Sequence, residues 1–442
     1  MPRLKNALCA MLFCAPFVAL AGCIEVPPVP DMSTGVSSPA LTGGAPAAAT
    51  APVLLDDRMY VEVTFMRPDG TPRKALALVN MGSGGLILSN ALFRELRPAA
   101  GKPLHMLFGG MDIAVDGGAV LPETMTGYIA VSIDPFAKPP RPEDMAKGPG
   151  GMMASLAAPL KVEAILPPGL LQHFEVVLDY GARTMTLAAP GTLRPSGVAV
   201  PVRLDPKTGF VTLDATIAGK KHPLVIDNGG SYSVLRDVEP LIGKHPDWLR
   251  STGAIGPANL MMRGAGYEAD DLVAAIPNVS FGPLAIPSFG AVQTGPRGWP
   301  GGMVTALFWD RLYAPKAGEQ VDGWIGGNVL KGFRLTIDYA NRMTYWEQLA
   351  PIDTHDLDCV GLVLARKDAV TTVSGVARKN GKPAVTGVQP GDKLVRIGGV
   401  DTDGLTRGAL IEALHGAPGE VKPLLLERGG KQIEVDATVT PF

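Results

Sequence analysis

Apolar residues in this chain fall into short runs, alternating or continuous, each closed by Gly, Pro, Asn or Asp. That punctuation predicts many short β-strands joined by tight turns. Ala75-Leu76-Ala77-Leu78 leads into Val79-Asn80-Met81-Gly82-Ser83-Gly84-Gly85-Leu86-Ile87-Leu88, and Pro223-Leu224-Val225 leads into Ile226-Asp227-Asn228-Gly229-Gly230-Ser231-Tyr232-Ser233-Val234-Leu235. Both read as a strand, a polar residue, a glycine-rich turn and a second strand. Near the C-terminus the period changes. Thr406–Leu414 reads as a helix with Leu410, Ile411 and Leu414 on one face, followed by strands at Pro423–Glu427 and Gln432–Val439.

The two glycine turns belong to a longer repeat. Pro149-Gly150-Gly151-Met152 echoes Pro300-Gly301-Gly302-Met303, and Phe174-Glu175-Val176-Val177-Leu178-Asp179-Tyr180 echoes Phe333-Arg334-Leu335-Thr336-Ile337-Asp338-Tyr339. The three matches are offset by 147, 151 and 159 residues, in order and growing, as insertions in the second copy would make them. A duplicated β-rich unit follows, of a kind that suits barrel or sandwich lobes. The Asp-Tyr pairs at 179–180 and 338–339 sit before Gly181 and Asn341, where a hairpin turn accounts for them.

Composition narrows the class. With 46% apolar and 19% charged residues the chain can bury real cores, and Gly 54 with Pro 41 argues against a helical bundle. A net charge of −2 gives no footprint for nucleic acid. The 6 histidines are scattered without zinc-ligand spacing, so neither a metal nor a cofactor is expected. The Met-rich spots Met152-Met153 and Met261-Met262 read as packing.

At the N-terminus, Arg3 and Lys5 precede an apolar run from Ala7 to Ala21, which reads as a secretory signal. It ends Leu20-Ala21-Gly22-Cys23, which resembles the lipobox of bacterial lipoproteins. That resemblance implies cleavage after residue 22 and acylation of Cys23, anchoring the protein to a membrane of the cell envelope. Ile24 after the cysteine points to the outer membrane. Residues 23–54, rich in Pro and Ala, then read as a tether of about 30 Å end to end. Cys359 is left without a disulfide partner and is expected to be a buried small hydrophobe.

A strand ending in Asp, a Gly turn and a Ser-containing strand resemble the catalytic loop of pepsin-like and retroviral-type aspartic proteases, whose motif is Asp-Thr/Ser-Gly-Ser/Ala. The later Trp324-Ile325-Gly326 resembles the apolar-apolar-Gly segment of such lobes. The resemblance covers roughly residues 57–348 and implies two β-barrel lobes, 55–195 and 196–350. It assigns Asp227 and Asn80 to the catalytic positions, and Gly82, Ser83, Gly229, Ser231 and Gly326 to substrate binding. In such enzymes two facing carboxylates share one proton, one acting on water and the other on the carbonyl oxygen. Here Asn80 stands where the second acid belongs, beside Met81, and Asn cannot exchange a proton in the working pH range. Lobe one also reads Ile165-Leu166-Pro167-Pro168, without the glycine found at Gly326. Three expectations stand: a degenerate peptidase that binds extended polypeptide, an active homodimer joining two copies of Asp227, and a hydrolase using Asp227 with Asn80 as donor.

From about 351 to 442 the character changes. Gly361-Leu362-Val363-Leu364 opens a strand, and Pro383-Ala384-Val385-Thr386-Gly387-Val388-Gln389-Pro390-Gly391-Asp392 precedes another. This segment resembles a bacterial PDZ domain, a small α+β fold. The resemblance implies capture of C-terminal peptides of envelope proteins, with Gly361, Leu362, Val363 and Leu364 as the carboxylate loop and Leu410 and Leu414 lining the pocket. The expected fold is therefore mainly β: two tandem aspartic-protease-like lobes and a C-terminal PDZ domain.

Overall fold

The computed structural model describes residues 36–37, 47–50, 53–55, 57–123, 161–262, 268–293, 308–367 and 370–442. The expected signal segment, Cys23 and both Pro-Gly-Gly-Met echoes lie outside them. The protein is mainly β, and its strands follow the alternation in the sequence. In Arg58–Met66, Met59, Val61, Val63 and Phe65 face the main core. Tyr60, between them, points to a separate cluster with Leu78, Val162 and Ile165. Each such fully buried side chain stabilises the fold by about 1.5–3 kcal/mol.

The duplication is visible as topology. In the first copy, strand β1 (Pro72–Val79) runs into the Asn80 turn and out along β2 (Leu86–Leu88). Strand β3 (Val162–Leu166) then threads between them, parallel to β1 and antiparallel to β2. It is followed by β4 (Glu175–Asp179) and β5 (Thr184–Ala188), which form a hairpin. In the second copy, β6 (Lys220–Ile226) runs into the Asp227 turn and out along β7 (Ser233–Leu235). Strand β8 (Gly323–Ile325) threads between them with the same two polarities. The closing hairpin is β9 (Phe333–Asp338) and β10 (Met343–Gln348).

The two hairpins join the copies. Strand β4 pairs antiparallel with β9, with Val177 opposite Thr336, Glu175 opposite Asp338 and Asp179 opposite Arg334. Val177 and Thr336 are themselves counterparts in the repeat, so the pairing centres on a local two-fold axis. The sheet is completed by Val198–Pro201 on one edge and Ala47–Thr50 on the other. Ala47–Thr50 falls in the segment expected as a tether. So do Val36–Ser37, paired with Ala114–Val115, and the first two residues of Val53–Leu55, which pairs with Arg58–Tyr60. Asp179 and Asp338 cap their hairpin turns, accepting from the amides of Ala182 at 2.7 Å and Asn341 at 3.0 Å.

The C-terminal piece is a sheet of β11 (Leu362–Lys367), β12 (Val370–Val376), β13 (Lys393–Ile397), β14 (Val421–Arg428) and β15 (Lys431–Thr438). One helix, α1 (Arg407–Leu414), packs on it, capped by Thr406, whose side chain accepts from the Ala409 amide at 3.2 Å. Arg428 grips the Asp392 carboxylate at 2.6 and 2.7 Å and holds it below the usual carboxylate range. Gly391, at φ 95°, makes the turn into β13. The core of this piece is continuous with the second lobe. Leu362, Leu364, Leu410 and Leu414 share one apolar cluster with Tyr232, Val234, Ala254 and Ile255.

Candidate functional site

Both glycine turns are closed by the same three bonds. The amides of Asn80 and Asp227 each donate at 3.0 Å to the threading strand, at Leu166 O and Ile325 O. The amide three residues on returns to the turn, Ser83 to Asn80 O at 3.1 Å and Gly230 to Asp227 O at 3.2 Å. The amide two residues on bonds the polar side chain, Gly82 to Asn80 Oδ1 and Gly229 to Asp227 Oδ1, both at 2.9 Å.

The turns also meet face to face. The Gly82 amide donates to Asp227 Oδ1 at 3.1 Å as well as to Asn80 Oδ1, so one N–H bridges the two side chains. A Cβ on Gly82 would lie 2.0 Å from Asp227 Oδ2, and one on Gly229 would lie 2.2 Å from Asn80 Cγ. Glycine at both places is what lets each turn press against the other's side chain. The Met81 amide donates across the junction to Asn228 Oδ1 at 3.0 Å. No reciprocal bond reaches Met81, and Asn228 Nδ2 is buried without a partner among the described residues.

Asp227 is 8% exposed and Asn80 7%, so each keeps only a narrow window to solvent. Burial raises the Asp227 pKa, against the amides of Gly229, Gly230 and Gly82 and the Arg58 guanidinium, which favour the carboxylate. Lys316, on the short helix Ala314–Ala317, was not singled out by sequence. A lone lysine in a short apolar stretch carries no motif. Its Nζ lies 3.5 Å from where a Cβ on Gly84 would be, so its ammonium reaches the lobe-one turn. Burial pulls its pKa down, while the charge of Asp227 pulls it up.

The other expected residues take different places. Ser83 is buried and donates to Gly85 O at 3.2 Å, bracing its own turn. Ser231 Oγ is buried without a partner among the described residues. Gly326 lies behind the Asp227 turn, where a Cβ would strike the Tyr232 backbone at 2.5 Å, so the missing side chain is what permits this close packing. Trp324 donates from its indole to Tyr232 O at 3.1 Å and joins an aromatic cluster with Trp309 and Tyr313, with ring centres 5.4 Å away in each case. Cys359 is buried and free, its thiol pushed up by burial.

The expected peptide groove of the C-terminal piece is not open. Leu362, Val363, Leu364, Leu410 and Leu414 are all at 0–1% exposure. A Cβ on Gly361 would strike Ala384 and Phe442 at 2.6 and 2.7 Å, so this glycine packs inward. The space beside the strand is taken by residues 256–262 of the second lobe. Among the described residues no group of three or more His, Cys, Asp or Glu could hold a metal ion. No protein-family model matches the chain, and no curated protein matches it.

Proposed function

We propose that this protein binds extended polypeptide where its two lobes meet, on a scaffold of aspartic-peptidase type in which one of the two acids is replaced. The observation that carries the reading is the equivalence of Asn80 and Asp227. They stand 147 residues apart in sequence, on turns with matching backbone bonds, and one amide bridges them. The C-terminal piece is a PDZ-like module in this reading. Export and lipid attachment at Cys23 would place the protein at the cell envelope, on the outer membrane, where unfolded and C-terminal segments of envelope proteins are the available ligands.

A second reading is favoured by Lys316 and by the raised pKa of Asp227, features typical of reacting groups. In it Asp227 takes a proton from water as the water oxygen bonds the carbonyl carbon. Asn80 Nδ2 and the Lys316 ammonium stabilise the oxyanion. Asp227 then returns the proton to the leaving amine as the C–N bond breaks.

The test incubates the soluble chain with an unfolded protein from acidic to neutral pH, with and without Asp227→Ala. Binding without cleavage, insensitive to an aspartic-protease inhibitor, is the expected result. Cleavage that disappears in Asp227→Ala overturns the binding-only reading in favour of the second. Neither binding nor cleavage overturns both.

A further inference from the structure

Strand β11 is an edge strand of the C-terminal sheet, and its free edge is occupied by the chain itself. The Leu364 amide donates to Asn259 Oδ1 at 2.9 Å, and the Arg366 amide donates to Met262 O at 2.8 Å. These amides are two residues apart and so lie on the same side of the strand, the side an added strand would use. From the helix, Arg407 donates through Nε to Asn259 O at 3.0 Å and through Nη2 to Pro257 O at 2.8 Å. Behind the segment, Glu268 holds it in shape, accepting from the Met261 and Met262 amides at 2.9 Å each and from Asn259 Nδ2 at 2.7 Å. Ala258 and Met262 bury their side chains in the cluster that holds Leu364, Leu410 and Leu414.

We propose that the groove between Leu362–Lys367 and Arg407–Leu414 is a peptide site kept shut by the chain's own Gly256–Met262, so that an outside peptide enters only when this segment leaves. The inference rests on reading the C-terminal piece as a peptide-binding module, and it adds the resident occupant and its latch. The occupant is not a strand laid along the whole edge. It touches the edge at two amides, and away from the edge it is held by the Arg407 guanidinium on two backbone carbonyls, by Glu268 and by the buried Ala258 and Met262. A buried guanidinium bonded to carbonyls is among the stronger neutral-acceptor contacts, and removing it leaves both carbonyls needing new partners. The apparent affinity for an outside peptide falls in proportion to the fraction of molecules with the groove empty. Loosening the latch therefore raises affinity, the reverse of what loss of a ligand contact does.

The probe is a fluorescein-labelled peptide with the sequence of residues 256–262, titrated by anisotropy against the full chain, Arg407→Ala, and a second variant carrying Pro257→Gly, Ala258→Gly, Asn259→Gly and Leu260→Gly. Hydrogen exchange at the Leu364 and Arg366 amides reports whether the segment has left. The expected result is binding at least tenfold tighter in either variant than in the unmodified chain, with faster exchange at both amides in the absence of probe. Equal binding by all three chains overturns the latch while leaving the groove a peptide site. Fast exchange without probe binding, in variants whose near-ultraviolet circular dichroism is native, overturns the peptide-site reading itself. Absence of binding by both variants with exchange unchanged overturns the proposal outright. None of these readouts involves Asp227, so they fail separately from the test at the lobe junction.

Discussion

The Asn80 turn and the Asp227 turn make the same backbone bonds with different side chains, and the comparison separates what the fold needs from what chemistry needs. Each turn requires a side-chain oxygen that accepts from the amide two residues on, and Asn80 Oδ1 does this at the same 2.9 Å as Asp227 Oδ1. A neutral amide oxygen is a weaker acceptor than a carboxylate but still accepts this bond, so Asn in place of Asp keeps the turn's geometry. Only the ability to gain and lose a proton disappears. Asp227 then collects the Gly82 amide as a second intra-junction donor, at 3.1 Å. Asn can therefore stand at this position with little structural penalty, which is why the fold alone does not decide between binding and hydrolysis.

The sharpest way to break the comparison is Asn80→Asp, which gives the junction two facing carboxylates. They cannot both ionise there, so they would share a proton and titrate as a pair. Cleavage of an unfolded protein is expected to appear or to rise by about 10²–10⁴-fold, the span of general acid–base catalysis. Its rate should fall as pH rises through the upper apparent pKa, where the shared proton is lost. A folded Asn80→Asp chain whose cleavage matches the parent at every pH would show that the missing acid is not what limits the site.

The next effect is on stability and tests the contact between the turns. A methyl on Gly82 would overlap Asp227, at 2.0 Å from Oδ2, and one on Gly229 would overlap Asn80, at 2.2 Å from Cγ. Each substitution by Ala should cost about 3 kcal/mol in denaturant unfolding, the upper range for overpacking where the struck side chain is itself held. The two costs should be similar although the struck groups differ in chemistry. Loss of stability in only one of them would mean that the turns are not equivalent in packing.

Much of this was legible in sequence, and the reason is local. Turn glycines, strand-ending polar residues and the matched Phe-to-Tyr hairpins are signals within ten residues of one another, and they survive in both copies. The helix at Thr406–Leu414 was legible because Leu410, Ile411 and Leu414 fall on one face; in the structure it spans Arg407–Leu414, with Thr406 as its cap. What was not legible is long-range. Val162–Leu166 threads between two strands more than 70 residues earlier, and no local pattern says so. Its Pro167 stands where the second lobe has Gly326, and the absence of glycine there read as a lost catalytic mark. In the structure Gly326 lies against the Tyr232 backbone, where a Cβ would not fit. The approach of Lys316 to the Gly84 turn and the packing of residues 256–262 against Leu364, Arg366 and Arg407 are tertiary events between segments with no motif of their own.

The smallest expected effect concerns the bond that crosses the junction in one direction only. The buried Met81 amide donates to Asn228 Oδ1, while Asn228 Nδ2 has no partner among the described residues and Met81 offers only a thioether in return. Asn228→Ala removes the acceptor and strands a buried N–H, which should cost about 1–3 kcal/mol. Asn228→Thr supplies a hydroxyl oxygen in place of the carboxamide and discards the unpartnered amide, so it should recover part of that loss. Equilibrium unfolding of the three chains gives the order: parent, then Thr, then Ala. If Asn228→Ala unfolds at the parent's midpoint, the crossing bond contributes nothing, and the two turns are held together by shape and by the Gly82 amide alone.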